Sequence, residues 1–406
     1  MIRRSRLMTR LAAGALAMFV VVACSEQLNT PGDCPALCPG GDIVIFDTIL
    51  FPIPGADSTF NGYAAKGQSG ALLLSQPGFP AGDARVQVRF RKRQDSVLVR
   101  DTLRTYTIDS AQLDLGILTR DTLLTGLSLS VWRVPQTIDS LSTVAEIDAA
   151  LTPDRLLGTM AIPDTLKSGG LELKFQGPDL AKVDLVADTG VLNIAVTLNS
   201  ATPTGVRVAG LFGGALLPVF TTYADVNIAD TATAVRKRVI TSSPFYSTYQ
   251  IEPPDPTPTP ATLVVGGGPS ARAMIRFQIP DLIRDSAQLV RATLELVPVE
   301  VPQGIPNENA TIEARGVLTD LGAKSPLIPT AVGQTVIKPG QSDTVKVEVV
   351  RLVQLWQGAE PFPSVFFVLL APEGGSFLRP VYGSSQSAFR PRLRISYTLP
   401  FEFEAP

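Results

Sequence analysis

The pentapeptide Asp-Ser-Ala-Gln-Leu occurs twice in this chain, at Asp109–Leu113 and Asp285–Leu289. Each copy stands between two similar strand-like runs. Upstream are Ala84–Phe90 and Ala271–Phe277, and downstream are Leu113–Leu118 and Leu294–Val297. An identical word set between matching patterns reads as the duplication of one domain. The correspondence runs on to Leu171–Phe175 with Val345–Val349, Leu192–Val196 with Phe366–Leu370, and Pro218–Phe220 with Pro391–Leu393. The first copy is longer by Arg91–Thr107, which reads as an extra hairpin.

A duplicated unit must close its own core. The chain is 45% hydrophobic, enough for packed cores. With 33 Gly, 34 Pro and only 18% charge, it favours short strands joined by turns. Leu127–Val134 alternates with period two, so Leu127, Leu129 and Val131 should face inward. Ser142–Leu151 reads as a helical turn capped by Ser142, with Glu146 near its start. The expected fold is all-β, two tandem jelly-roll-like antiparallel β-sandwiches at 42–222 and 223–400, with a tail at 401–406. The Pro-rich run Glu252–Pro260 reads as a stiff insertion within the second domain.

The N-terminus predicts export. Arg3, Arg4, Arg6 and Arg10 precede an apolar core, Leu11–Ala23, too short for a comfortable membrane span. The core ends in Val21-Val22-Ala23-Cys24, which resembles the lipobox of bacterial lipoproteins. The resemblance implies a signal peptide over 1–23 and a lipid-anchored Cys24. Ser25 stands where an Asp would signal inner-membrane retention, so the implied location is the outer membrane. Residues 24–41 read as a Pro/Gly-rich tether. Within it, Cys34 and Cys38 fit a small disulfide loop or two free thiols, and a metal site would need two more ligands.

Histidine is absent, which removes Ser-His-Asp and Cys-His mechanisms and the commonest zinc ligands. Without the four leader arginines the balance is 31 cationic against 37 anionic residues. No basic tract exceeds Arg89–Arg93, so nucleic acid is not an expected partner.

The second copy orders a glycine-rich strand, Arg272–Pro280, Asp285–Leu289, a Leu-rich strand, Val347–Val350 with Trp356, and the closing Arg390–Tyr397. In this it resembles the DNRLRE-type domain, a surface jelly roll related to disaggregatase repeats and some carbohydrate-binding modules. The naming motif itself does not occur. The resemblance implies a non-catalytic surface sandwich, in some members polysaccharide-binding, and no ligand residues carry over.

Several residue groups invite chemistry. Asp followed by Ser or Thr recurs, as at Asp47, Asp57, Asp109, Asp285 and Asp343, and could hold calcium at strand ends. The same residues make local turns, no DxDxDG spacing exists, and no metal or other cofactor is expected. Ser243–Tyr249 reads as a polar loop whose Phe245, Tyr246 and Tyr249 could stack on sugars, whereas Trp132 and Trp356 fit core patterns. Asp179, Asp184 and Asp188, or Glu295 and Glu313, could pair as catalytic carboxylates, yet nothing singles them out. The arginines of Arg85–Arg93 and Arg392–Arg394 read as exposed sheet faces. The expectation is a non-catalytic envelope lipoprotein that binds polysaccharide. The alternatives are an assembly component contacting envelope proteins, and a carboxylate-dependent polysaccharide-degrading enzyme.

Overall fold

The computed structural model describes residues 44–400 except 65, 92–95, 100, 184–190, 228–234, 253–258, 269 and 359–361. The export segment, Cys24, Cys34, Cys38, Asp184, Asp188 and the tail 401–406 lie outside the described residues.

In chain order the strands are β1 (Phe46–Leu50), β2 (Ser58–Asn61), β3 (Ala71–Ser75), β4 (Asp83–Phe90), β5 (Val97–Val99), β6 (Thr102–Arg104), β7 (Tyr106–Arg120) and β8 (Ser128–Arg133). Next come β9 (Leu156–Ala161), β10 (Gly169–Gln176), β11 (Leu192–Asn199), β12 (Gly205–Ala209), β13 (Val219–Asn227), β14 (Val235–Ser242), β15 (Pro244–Glu252) and β16 (Thr262–Val264). The last are β17 (Ala271–Arg276), β18 (Gln288–Leu296), β19 (Ala310–Val317), β20 (Leu327–Ile337), β21 (Val345–Glu348), β22 (Val365–Ala371), β23 (Val381–Gly383) and β24 (Arg392–Thr398). The expected hairpin at Arg91–Thr107 is β5 with β6.

Two antiparallel sandwiches result. Sheet β14-β13-β7-β12-β3, with β10 on the other edge of β7, faces sheet β15-β4-β11-β8-β9 across one core. Sheet β1-β24-β18-β21 faces β2-β17-β22-β19-β20 across the other. Alternation builds both: Leu127, Leu129 and Val131 are at most 1% exposed, as their spacing requires.

The strand orders show the duplication directly. β4-β11-β8-β9 matches β17-β22-β19-β20, and β14-β13-β7-β10 matches β1-β24-β18-β21. Leu113 lies opposite Leu173 and Phe220, and Leu294 opposite Val347 and Leu393. Leu113 is therefore equivalent to Leu294 and not to Leu289. The two identical pentapeptides are not superposed: the first lies within β7, whereas Asp285 and Ser286 close a helical turn before β18. The matching runs around them are the true equivalents.

Sheet membership does not divide at residue 222. β1 and β2, from the start of the expected first domain, pair with β24 and β17 of the second core. β14 and β15, from the start of the expected second domain, pair with β13 and β4 of the first. Each repeat thus lends its leading strands to the other core. Period-two patterning assigns a strand to a face and says nothing about which of two similar sheets it joins. Ile305 and Phe377, from connections of the second half, also pack into the first core, with Phe377 edge-on to Phe79 at 5.2 Å.

Within the six-stranded sheet, β12 and β13 lie end to end along one edge of β7, Val208 opposite Ile117 and Val219 opposite Asp114. The chain between them closes over Gly116, where a Cβ would stand 2.2 Å from the Leu216 carbonyl oxygen. Only glycine fits there.

The polar face of β4 is covered rather than exposed. Arg85 is 3% exposed and donates from Nε and Nη2 to Asp148 at 2.7 and 2.8 Å. Gln87 donates to the Ile138 carbonyl and to Asn193, and Arg89 donates to the carbonyls of Gln136 and Ile138. The cover is the segment around the helix Val144–Ala149, whose N-cap is Thr143, one residue past the expected Ser142, in a capping box with Glu146. The exposed-face expectation for Arg85 fails because a segment distant in sequence folds over that side of the sheet.

Candidate functional site

The aromatic residues marked by the sequence do not form one platform. Ser243–Tyr249 is not a loop: residues 244–252 form β15, and Tyr249, 1% exposed, is a core side chain. Tyr246 is half-buried with the Arg89 guanidinium 5.2 Å from its ring centre, while Phe245 is exposed. Burial raises the phenol pKa of both Tyr246 and Tyr249 above its ordinary value. Alternation on a strand sends neighbouring rings to opposite sides, so Phe245, Tyr246 and Tyr249 cannot share one sugar. Trp132 is partly buried with its indole N–H donating to Thr197 at 3.0 Å, and Trp356 is buried 4.7 Å from Phe366.

The candidate carboxylates are engaged locally. Asp179 pairs with Lys182 at 2.9 Å, Glu295 with Arg394 at 3.6 Å, and Glu313 with Arg315 at 2.6 Å. Among the described residues no three of His, Cys, Asp and Glu converge as metal ligands would.

The structure instead assembles a polar platform on the outer face of the six-stranded sheet. Ala111, Leu113 and Leu115 of β7 point into the core, leaving Ser110, Gln112 and Asp114 outward. A bulge opposite Tyr223 and Ala224 turns Asp109 to the surface as well. Register then builds two rows across four strands. One is Gln176, Ser110, Tyr223 and Val239, and the next is Lys174, Gln112, Thr221 and Thr241. At about 4.8 Å between strands, each row spans roughly 14 Å. A depression of about 340 Å³ lies here, lined by Asp109, Ser110, Ala111, Gln112, Lys174, Gln176 and Tyr223.

Part of this hydrogen-bonding capacity is spent within the face, where Ser110 donates to Asp109 at 3.4 Å. Gln112 donates to Asp114 at 2.6 Å and Lys174 pairs with Glu172 at 3.2 Å, the latter exposed and therefore weak. No hydrogen bond or ring contact involves the Tyr223 side chain among the described residues, and none involves the Gln176 amide. A half-buried phenol ring beside amides, hydroxyls and one ammonium offers an apolar face and donors and acceptors at strand spacing.

The equivalent face of the second sandwich carries more pairs of its own, themselves exposed. Its rows are Arg291 with Ser396; Glu348, Thr293 and Arg394; and Lys346, Glu295 and Arg392. Arg291 meets Glu348 at 2.5 Å, Thr293 donates to the same carboxylate at 3.0 Å, and Ser396 donates to Asp47 at 2.5 Å. No aromatic ring stands in these rows. Where the first copy has Tyr223, the second has Ser396.

Sequence reasoning missed this platform. It placed Tyr223 at a domain start and Asp109–Gln112 in a repeat signature. The signal available was the outward set Ser110, Gln112 and Asp114, but its neighbours come from β10 and β13, more than 60 and 100 residues away.

No protein-family model matches the chain, and no curated protein does. Among solved structures, it is similar to the N-terminal CBM22-1-CBM22-2 tandem domain of Xyn10C from Paenibacillus barcinonensis. The two are 8% identical, with 86% of this chain and 98% of that chain covered, at a TM-score of 0.16, too loose to carry an argument about shared architecture. The chain's own pairing makes it an all-β protein of two antiparallel sandwiches.

Proposed function

We propose that this chain is a non-catalytic polysaccharide-binding protein of the bacterial envelope, lipid-anchored through Cys24 at the outer membrane. Its binding face is the platform of Tyr223, Gln112, Gln176, Ser110 and Lys174. The observation that supports this reading is the unequal treatment of two equivalent sheet faces. One spends its side chains on the Arg291–Glu348 and Arg394–Glu295 pairs; the other leaves a half-buried ring and the Gln176 amide without a bond among the described residues, beside Ser110, Gln112 and Lys174. Sugars match that chemistry, because their C–H faces stack on an aromatic ring while their hydroxyls take up donors and acceptors. The DNRLRE-type resemblance of the second half belongs to the same proposal.

A glycan-array screen of the mature chain tests it, with Tyr223→Ala and Gln112→Ala/Gln176→Ala beside Tyr246→Ala. The expected result is selective binding that both platform variants abolish and Tyr246→Ala leaves intact. Silence across the array, or binding indifferent to the platform, would overturn the reading and favour an assembly role.

A further inference from the structure

Exposed apolar side chains concentrate beside the free edge of β1. Ile45, Ile49, Phe51 and Ile53 are 56, 41, 44 and 38% exposed. Ile45 and Ile49 lie on the outer side of β1 with Asp47, and Phe51 and Ile53 follow where the chain passes from β24 to the edge of β17, Pro52 bridging Phe277. Phe389, 55% exposed, adjoins Arg390, whose guanidinium lies 4.3 Å from the centre of the Phe51 ring. Arg392 and Arg394 stand exposed on the neighbouring β24, Arg394 directly opposite Ile49. Arg394 is held by Glu295 at 3.6 Å, and Asp47 accepts from Ser396. Arg390 and Arg392 have no carboxylate partner among the described residues.

An apolar sandwich edge of this kind marks a contact surface. Its rim narrows the chemistry: guanidinium groups beside branched aliphatic and phenyl side chains match the boundary between anionic headgroups and acyl chains. Its place in the chain agrees. Ile45 follows Cys24 by 21 residues. Twenty-one residues reach at most about 75 Å. An acyl anchor at Cys24 would therefore keep this edge within that reach of the bilayer.

We propose that the sandwich edge carrying Ile45, Ile49, Phe51 and Ile53, with Arg390 and Arg392, docks on an anionic phospholipid surface, so that the folded chain rests on the membrane instead of being held off it. The location rests on the envelope reading above. The chemistry does not, and it involves none of the platform residues.

The test uses the mature chain with Cys24→Ser, which carries no acyl group, co-sedimented with vesicles of phosphatidylglycerol and phosphatidylethanolamine or of phosphatidylcholine alone. The expected result is sedimentation with the anionic vesicles and little with the zwitterionic ones. Ile49→Ser/Phe51→Ser/Ile53→Ser should lower the partition coefficient about tenfold or more, and Arg390→Gln/Arg392→Gln should lower it several-fold and flatten its salt dependence. The arginine pair is surface-exposed, so its variant keeps the test decisive if the apolar variant melts early. No sedimentation with anionic vesicles, or sedimentation unchanged by the arginine pair, overturns the proposal. So does a concentration-dependent dimer in light scattering without vesicle binding, which would assign the edge to a second copy of this chain.

Discussion

Cutting the chain at its apparent repeat boundary should destroy both halves, whereas cutting it at its sheet boundary should preserve one. A piece covering 42–222 loses β15, which lies along β4 from Pro244 to Glu252. It thereby loses Tyr249 and Ile251, 1% and 8% exposed in the first core. Burial of an aromatic side chain removes 150–250 Å² from water, worth about 4–6 kcal/mol at ~25 cal/mol per Å², and a buried Ile adds about 1.5–3 kcal/mol. These are upper estimates. Even halved, they consume much of the ~5–15 kcal/mol that holds a domain together. A piece covering 223–400 lacks β1 and β2, so it exposes the β24 edge and loses the Phe46–Tyr397 stack at 5.6 Å. A piece covering 64–261 contains every strand of the first sandwich, lacking only the Ile305 and Phe377 plugs. Circular dichroism melts of the three pieces against the mature chain decide the matter. The 64–261 piece should melt cooperatively, below the mature chain, while the other two should show no cooperative transition. A cooperative melt of 42–222 matching that of 64–261 would refute the exchange of strands.

Further outcomes follow from single sites. Glu308 is 1% exposed; burial raises its carboxyl pKa above the ordinary range, against the opposing pull of Arg207 and a hydrogen bond donated by Ser376. A carboxyl raised in the folded state binds more protons there, so stability is greatest below the unfolded pKa and falls as pH rises through the folded one. Glu308→Gln should therefore raise the melting temperature at pH 7 and flatten its decline above pH 5; a lower melting temperature at every pH would contradict this. Gly116→Ala forces a methyl onto the Leu216 carbonyl and should cost about 1–3 kcal/mol in urea unfolding, with loss below ~0.5 kcal/mol counting against the close approach. Ser396→Tyr should not create a glycan site on the second sandwich, because Arg291, Glu348 and Arg394 would still hold one another on that face; acquired binding on the array would show that the ring alone suffices.

How much was legible follows from what period-two patterns encode. Leu127, Leu129 and Val131 turn inward as read, and Leu171–Phe175 pairs within its sheet as Val345–Glu348 does in the other copy. Side-chain alternation is local, and these were local facts. The exchange of β1–β2 and β14–β15 is not local, since two similar sheets offer edges that the same pattern satisfies. Tyr249 was misread for a related reason: its neighbours Ser247, Thr248 and Gln250 are polar yet almost fully buried, so composition suggested a loop where the backbone runs as a strand. The platform was hidden because its rows take one residue from each of four strands.

The most direct test of the binding face is carbene footprinting of the mature chain, read by mass spectrometry with and without the strongest glycan found on the array. Labelling should fall at Tyr223, Gln112, Lys174 and Gln176 and stay unchanged at Arg291, Arg394 and Tyr246. Protection at Tyr246 or on the second sandwich, with Tyr223 labelled as before, would contradict it.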